Sequence, residues 1–300
     1  MLLLYSVKNR HRVIKTGKDE YLMNRRLEKA LDHLILLHKI EENKTPSPKL
    51  GKAVGLGIFL LGIPLAAGVL LNNYKQAVSV NAVITERKLP ICSVETEEPV
   101  LAFTFDLAWG NTDLERILTI LKDEEIRATF FVTGDYVEQY PEEVRALYAA
   151  GQELGSHGDA HRLMSSLSDS EKEEEILNVH NKVKELTGYE MFLFRPPYGD
   201  YDNDVLNIAE KCGYMTVQWN IDSRDWRDYG KEAILSAVLE NEHLEKGSII
   251  LFHNDTAYLA DTLEELIEKL KKKGYGFVPV SELIYREQYH MAPSGKQIPD

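Results

Sequence analysis

Residues 100–106 read VLAFTFD, a run of apolar and β-prone residues that ends in an aspartate. A short continuous apolar run of this kind is typical of a buried strand in a parallel sheet. Asp106 then stands at the carboxyl end of the strand, where parallel β/α folds place their functional groups. The stretch therefore predicts a buried strand with a carboxylate at its exit.

Similar runs recur along the rest of the chain. The other predicted strands are 128–133, 192–195, 215–219, 248–252 and 276–279. Helical patterns lie between them, and the clearest covers residues 169–186 after a capping box formed by Ser168 and Glu171. Alternation of strands and helices predicts an α/β fold with parallel strands and crossover helices.

Five short polar segments carry the groups that a metal-assisted amide hydrolase needs. They are Thr104-Phe105-Asp106, Ser156-His157-Gly158-Asp159-Ala160-His161, Arg195-Pro196-Pro197-Tyr198-Gly199, Asp222-Ser223-Arg224-Asp225-Trp226 and Leu251-Phe252-His253-Asn254. Any one of them could arise by chance, since short motifs recur. Their common order along the chain indicates one site built from several loops.

These segments resemble the polysaccharide deacetylases, the NodB homology domain of carbohydrate esterase family 4, over residues 98–288. The resemblance implies an α/β fold of the distorted or incomplete (β/α) barrel type, with the site at the carboxyl ends of its strands. The run FDLAWG at residues 105–110 also resembles the branch of this family found among sporulation-associated deacetylases.

The resemblance implies four catalytic residues. Asp106 would be the base, and Arg195 would hold its carboxylate through a paired hydrogen bond. His253 would protonate the departing amine, and Asp225 would orient that histidine and raise its pKa. The backbone N–H of Tyr198 would help to stabilise the oxyanion.

A divalent metal ion is the implied cofactor. His157 and His161 are four residues apart, so that their imidazoles could converge on one ion. Zinc is the default choice for two imidazoles with oxygen ligands, and cobalt, nickel or manganese would also fit.

Leu107 departs from the family pattern, which has a second, metal-binding aspartate at this position. Because leucine has no lone pair to donate, the ion would have to use Asp106, the nearby Asp159, water or nothing. A weakened or absent activity follows as an alternative. Leu107→Asp separates the two, because a gain of metal and activity would indicate a degenerate site, and a gain of neither would indicate a rebuilt pocket.

Four residues are expected to bind the substrate: Tyr198, Trp226, Leu251 and Trp109. Aromatic rings beside charged neighbours at strand ends can stack on sugar rings. Leu251 is open to two interpretations, either strand core or part of an acetyl pocket.

Charge and hydropathy divide the chain. Residues 1–52 hold twelve Lys or Arg against six Asp or Glu, and the other 248 residues hold 23 against 42. Residues 53–71, at the start of the second region, contain no charged side chain and predict a transmembrane helix about 28 Å long. The basic side faces the cytoplasm by the positive-inside rule, so we expect a single-pass anchor, a linker at 72–97, an extracellular domain and a tail at 289–300.

Together these features predict a membrane-anchored, metal-dependent enzyme that removes N-acetyl groups from cell-wall polysaccharide, with peptidoglycan preferred. The acidic domain argues against nucleic acid as a partner, since phosphate binding needs Lys and Arg. Two alternatives remain: an inactive barrel that binds glycan or aids assembly, and an esterase acting on acetylated xylan.

Overall fold

A computed structural model describes residues 87–300. The basic segment at 1–52, the predicted span at 53–71 and most of the predicted linker lie outside the described residues. Within residues 87–300, no helix combines the length and the apolar character that a membrane crossing needs. The membrane anchor therefore stays a prediction.

The described part alternates strands and helices, as the sequence predicts. The strands are β1 (Ser93–Val94), β2 (Val100–Leu107), β3 (Thr129–Val132), β4 (Glu153–Ser156), β5 (Leu193–Phe194), β6 (Met215–Thr216), β7 (Ile221–Asp222), β8 (Ile249–His253), β9 (Gly276–Phe277), β10 (Tyr289–Met291) and β11 (Lys296–Pro299). The helices are α1 (Leu114–Asp123), α2 (Gly134–Gln139), α3 (Pro141–Ala149), α4 (Asp169–Thr187), α5 (Asn203–Lys211), α6 (Lys231–Leu239), α7 (Leu259–Lys272) and α8 (Val280–Leu283).

The main sheet is parallel and curled. Its strand order is β6, β5, β4, β3, β2, β8 and β7, and β9 pairs with the start of β2. Because β6 and β7 follow one another in the chain yet lie at opposite ends of this order, strand pairing does not close the sheet. The predicted α/β fold of the incomplete barrel type is confirmed.

The two faces of β2 meet different parts of the core. Its odd-numbered residues pack with the helices in the larger hydrophobic cluster: Leu101, Phe103, Phe105 and Leu107. Ala102 belongs to the inner cluster with Phe131 and Leu193. Because side chains alternate along a strand, Asp106 points inward with Ala102. The centre of the sheet therefore delivers one carboxylate to the barrel interior.

Helix α4 forms as predicted. The side chain of Ser168 accepts a hydrogen bond from Glu171 N–H, and Glu171 accepts from Ser168 N–H, which completes the capping box. Gly188 ends the helix with a φ of 76°, a left-handed conformation that glycine adopts without strain. The buried stripe of α4 packs against the outer face of the sheet.

Two strands of the main sheet were absent from the sequence prediction. Strand β4 was not predicted, because Glu153 and Gly155 interrupt its apolar character. Its burial is compensated by hydrogen bonds, since Glu153 accepts from Thr129 Oγ1 at 2.7 Å. Strand β7 (Ile221–Asp222) was also missed, because Ile221 stands alone between polar residues and forms no apolar run.

Both ends of the described part also take part in the fold. Strand β1 pairs with β11, and β11 pairs with β10, in a small second sheet. Residues 93–94 and 289–299, which lie outside the predicted domain boundaries at 98 and 288, hydrogen-bond to each other, and the boundaries themselves stay predictions. Backbone pairing between distant segments left no local signal in the sequence.

Candidate active site

The carboxylate of Asp106 lies at the carboxyl end of β2 and is 7% exposed. Its Oδ1 accepts a hydrogen bond from Nη1 of Arg195 at 2.7 Å, and Arg195 is fully buried. Burial raises the pKa of Asp106, but the charge of Arg195, together with the imidazoles of His157 and His253 when these are protonated, outweighs burial and holds this pKa below its usual range. Asp106 is therefore ionised at neutral pH.

Arg195 has more partners than the sequence predicts. Its Nη2 donates to the backbone carbonyl of Gln218 at 2.9 Å, and its guanidinium lies 4.1 Å from the centroid of the Phe131 ring. Only one guanidinium nitrogen bonds to Asp106, so the expected paired hydrogen bond is wrong. The remaining donors are used by main-chain carbonyls, and Oδ2 of Asp106 is left to face the site.

His157 lies directly beside Asp106. Its Nδ1 is 2.8 Å from the backbone oxygen of Arg195, and its Nε2 is 3.5 Å from Asp106 Oδ2. Burial lowers the pKa of His157, so the ring is neutral. A carbonyl accepts only, so Nδ1 carries the proton and Nε2 presents its lone pair to the carboxylate. Two acceptors thus face each other across a short gap.

His161 lies next to His157, as predicted. The two ring centroids are 4.9 Å apart, and the ring of His161 also contacts those of Trp109 at 5.2 Å and Tyr198 at 4.5 Å. Burial, followed by the charge of His157, lowers the pKa of His161 to about 4. Both imidazoles are therefore available as neutral ligands at neutral pH.

Glu175 holds the loop that carries the two histidines. Its Oε2 accepts hydrogen bonds from the N–H groups of Asp159 and Ala160 at 2.8 and 2.9 Å. The residue is 5% exposed, although its sequence context suggests a solvated acidic helix face. This residue was missed because only the fold brings α4 against the loop after β4.

His253 ends β8 on the other side of Asp106, with the two residues in register. Its Nδ1 is 3.0 Å from Asp225 Oδ1, and its N–H donates to Asp225 Oδ2 at 2.7 Å. Burial lowers the pKa of His253, but the hydrogen bond and charge of Asp225, with the charges of Asp106 and Asp222, raise it above its ordinary value. The predicted contact between these two residues is present, and their catalytic roles stay predictions.

Leu107 does not face the site. It continues β2 in register with Val132 and is fully buried in the core between the sheet and the helices. The expectation that Leu107 replaces a metal-binding aspartate stays a prediction, and the leucine side chain itself packs in the core. A one-residue step along a strand turns the side chain to the other face of the sheet.

Asp159 is not a ligand in this arrangement either. Its Oδ1 accepts from Nζ of Lys182 at 2.6 Å, and its Oδ2 is 3.3 Å from the side-chain amide of Asn178. These bonds direct the carboxylate toward α4 and away from the histidines. Asp106 is left as the carboxylate beside the imidazoles.

The predicted substrate-binding aromatics border the site. Trp109, Tyr198 and Trp226 are 60%, 65% and 50% exposed, so their rings are free to contact a ligand. Tyr198 has a φ of 60°, a conformation that non-glycine residues favour mainly at functional sites. Leu251 is buried on the inward side of β8 beside Thr104, which leaves both interpretations of its role open.

Asn254 is a further residue that the sequence did not single out. Its side-chain amide donates to the carbonyls of Trp109 and Gly110 at 3.2 and 2.6 Å. Gly110 has a φ of 67°, and a Cβ there would collide with the carboxylate of Asp255. The loop after His253 therefore fixes the loop that carries Trp109.

The donor chemistry suits a divalent cation. The Nε2 lone pair of His157 and Oδ2 of Asp106 face each other 3.5 Å apart, and two acceptors at this separation are favoured only with a cation or proton between them. His161 adds a second neutral imidazole. Across residues 87–300, however, no three His, Cys, Asp or Glu side chains are arranged as a complete metal site.

Comparisons with known proteins identify the class. The family model for polysaccharide deacetylases matches residues 93–217. A peptidoglycan-N-acetylglucosamine deacetylase of Bacillus cereus is 36% identical over 196 residues, which cover 64% of this chain and 91% of that protein. The chain therefore belongs to the polysaccharide deacetylase family, hydrolases that act on carbon–nitrogen bonds other than peptide bonds.

Other relatives differ in length and in activity. The peptidoglycan-N-acetylmuramic acid deacetylase PdaC of Bacillus subtilis is 35% identical over 191 residues, which cover 64% of this chain but only 40% of PdaC. A Bacillus anthracis pseudoenzyme of carbohydrate esterase family 4 aligns with a TM-score of 0.63 at 28% identity, over 70% of this chain and 73% of that one. A mutant of this pseudoenzyme with restored enzymatic activity gives a TM-score of 0.62 at 31% identity, over 65% and 70%.

These neighbours confirm the fold and the family. The family around this chain contains both deacetylases and a pseudoenzyme. The likeness of residues 105–110 to the sporulation-associated branch stays a prediction.

Proposed function

We propose that this protein is a membrane-anchored, metal-dependent deacetylase that removes N-acetyl groups from cell-wall glycan, with peptidoglycan as the substrate. One observation carries the proposal. An ionised Asp106 and a carboxylate-paired His253 end neighbouring strands in register, with two neutral imidazoles beside the carboxylate. Amide hydrolysis needs a deprotonated base and a protonated acid at the same pH, and different surroundings can give two groups these different protonation states.

The residues of the chain would divide the work as follows. Asp106 would take a proton from the attacking water, and Arg195 would keep the carboxylate ionised and fixed in direction. His253, which Asp225 holds by two hydrogen bonds, would give a proton to the departing sugar amine. Tyr198 would place its backbone N–H toward the developing negative charge.

His157 and His161 would hold a divalent cation together with Oδ2 of Asp106. Zinc fits two imidazoles and a carboxylate best, and cobalt, nickel or manganese are the other choices. When bound, the cation would polarise the acetyl carbonyl. A carboxylate that also binds a cation is a weaker base, so we expect a slower enzyme than one with a separate aspartate ligand.

Location follows from the predicted anchor. Residues 1–52 would lie in the cytoplasm and the domain outside, next to the cell wall. A protease added to intact protoplasts should remove the domain and leave the basic N-terminal segment protected. Protection of the domain in protoplasts would contradict this orientation.

The activity test uses the full chain in detergent micelles. Acetate release from acetylated chitooligosaccharides and from peptidoglycan is measured without added metal and with zinc, cobalt, nickel or manganese. Activity is expected with at least one metal, and His157→Ala and His253→Ala should each abolish it. Acetate release no greater than that of these variants would refute the proposal.

A second candidate function is supported by the incomplete metal geometry and by the pseudoenzyme among the similar structures. The barrel would then bind glycan without cutting it. Elemental analysis of the purified chain should find no bound metal in that case, and His157→Ala should leave glycan affinity unchanged. Stoichiometric metal would exclude this candidate.

A further inference from the structure

The loop after β7, which carries the His253 partner Asp225, also carries two exposed arginines without an ion pair in the described part of the chain. Residues 222–228 read DSRDWRD, so that three aspartates accompany Arg224 and Arg227. Both arginines are exposed, and within residues 87–300 neither guanidinium lies in an ion pair. The two arginines of this loop therefore form no ion pair with its three aspartates.

Each aspartate of the loop is already used. Asp222 Oδ1 accepts from Arg224 N–H at 2.8 Å, and Asp228 Oδ1 accepts from Ala257 N–H at 3.0 Å. Asp225 is buried and bonded to His253. Because these bonds hold the carboxylates on the backbone or on the histidine, the two guanidinium groups are left for an external anion.

The loop is built to present its side chains. Arg224 and Asp228 have positive φ angles of 57° and 51° on either side of Trp226. Such backbone strain in non-glycine residues clusters at functional sites. The guanidinium of Arg227 lies 4.7 Å from the centroid of the half-exposed Trp226 ring. Ring and cation thus form one surface in the loop that carries Asp225, the hydrogen-bond partner of His253.

Arginine suits this position because a guanidinium binds a carboxylate in a planar, two-bonded geometry. The rest of the domain is strongly acidic, with 42 Asp or Glu against 23 Lys or Arg in residues 53–300. A carboxylate-bearing polymer is therefore repelled in general. Two exposed arginines in the loop that carries Asp225 and Trp226 would offset that repulsion locally.

We propose that Arg224 and Arg227 form an anion subsite that recognises the carboxylate of an acidic amino sugar next to the acetamide to be cut. The protein then prefers a carboxylate-bearing glycan, of the muramic acid type, over a neutral N-acetylglucosamine polymer. Trp226 supplies the stacking surface for the sugar ring. This inference rests on the proposed glycan-binding function.

The test compares two ligands that differ only in charge. One is a soluble peptidoglycan glycan fragment with free carboxylates, and the other is the same fragment with those carboxylates converted to amides. The full chain in detergent is titrated with each by calorimetry. The acidic form is expected to bind about 10-fold more tightly, because each contact between an exposed arginine and a carboxylate should raise the affinity a few-fold.

Variants assign the preference to the two arginines. Arg224→Gln and Arg227→Gln should each reduce the ratio of affinities about 3-fold, and the double variant should bring it close to one while affinity for the amide form stays unchanged. Arg227→Lys should retain part of the preference, since it keeps the charge. The matched control is Arg145→Gln on α3, which removes the same charge from an exposed arginine paired with Glu142.

Each result decides the matter. Equal binding of both forms by the natural chain, or an equal loss of preference in Arg145→Gln, would overturn the subsite and leave the proposed function intact. A fall in affinity for both ligand forms in the glutamine variants would show that the arginines only shape the loop. If the natural chain binds neither ligand, the proposed function fails and the subsite fails with it.

Discussion

Asp106 and Leu107 are neighbours at the end of β2, yet they lie on opposite faces of the sheet. Asp106 points inward to Arg195 and His157, whereas Leu107 packs outward in an apolar core with Phe105 and Val132. A charged side chain is therefore stabilised by partners at position 106 and would have no partner at position 107. Strand parity, and not the position of a residue in a motif, therefore decides which side chain reaches the site.

The largest effect is expected from Leu107→Asp, which places a carboxylate on the apolar face. We expect a loss of about 4 kcal/mol in the free energy of unfolding, because the buried charge has no partner. Urea denaturation measures the loss. The matched control is Leu163→Asp at a residue that is 52% exposed, where the change should stay within about 0.5 kcal/mol.

A contrary result would be informative. If Leu107→Asp is as stable as the natural chain and binds zinc more tightly, the end of β2 can shift so that residue 107 faces inward. The comparison between the two faces would then fail.

Next in size is Arg195→Met, which breaks the charged pair on the inward face. We expect a loss of about 3 kcal/mol, since removing one partner leaves the Asp106 carboxylate buried without its guanidinium. The double variant Asp106→Asn with Arg195→Met should recover part of this loss, because no buried charge remains. Additive losses in the double-mutant cycle would show that the pair is not coupled.

A smaller effect is expected from Asn254→Asp, which tests the link between two loops of the inward face. The aspartate cannot donate to the carbonyls of Trp109 and Gly110, so the free energy of unfolding should fall by about 1 to 2 kcal/mol. With 5-fluorotryptophan labelling, the fluorine resonance of Trp109 should shift, while those of Trp219 and Trp226 stay in place.

Asn220→Asp is the matched control for this substitution. The amide of Asn220 also donates to a backbone carbonyl, that of His243, so a comparable cost in stability is expected. It should leave the Trp109 resonance unchanged, since Asn220 contacts neither loop of the site. An unmoved Trp109 resonance in Asn254→Asp would mean that the asparagine does not position this ring.

Much of the inward face could be predicted from the sequence, and the reason is local. Residues such as Asp106, Arg195 and His253 stand at the ends of apolar runs, so a parallel fold brings them to one edge of the sheet. The capping box at Ser168 and Glu171 likewise fixes the start of α4 by contacts three residues apart. Local patterns of this kind can be recognised in the sequence without knowledge of how the rest of the chain folds.

The rest depended on contacts between distant segments. Glu175 reads as one of several surface glutamates, and only packing of α4 against the histidine loop buries it. The outward direction of Leu107 depends on β2 continuing one residue beyond Asp106 in register with β3. Strands β1, β10 and β11 pair across the whole domain, and none of them has enough residues for a periodic pattern.

The smallest effect on stability is expected from Asp225→Asn, which changes charge on the inward face at constant shape. Burial lowers the pKa of His253, yet Asp225 is the chief group that raises it above 6.5. The variant should therefore show a lower His253 pKa in an NMR titration of the imidazole signals. Asp202→Asn, the same change at the start of α5, should leave that titration unaltered.

The sign of the accompanying stability change follows from the raised pKa. A histidine whose pKa is higher in the folded chain than in the unfolded chain contributes stability that is fully present below about pH 6.5 and lost as the pH rises through the folded value. Asp225→Asn removes this contribution. The free energy of unfolding of the natural chain should therefore exceed that of the variant most in acid, and the difference should shrink above neutrality. Urea denaturation across this range measures the gap. A gap that widens with rising pH would mean that Asp225 stabilises the loop through its backbone hydrogen bonds and not through the charge of His253.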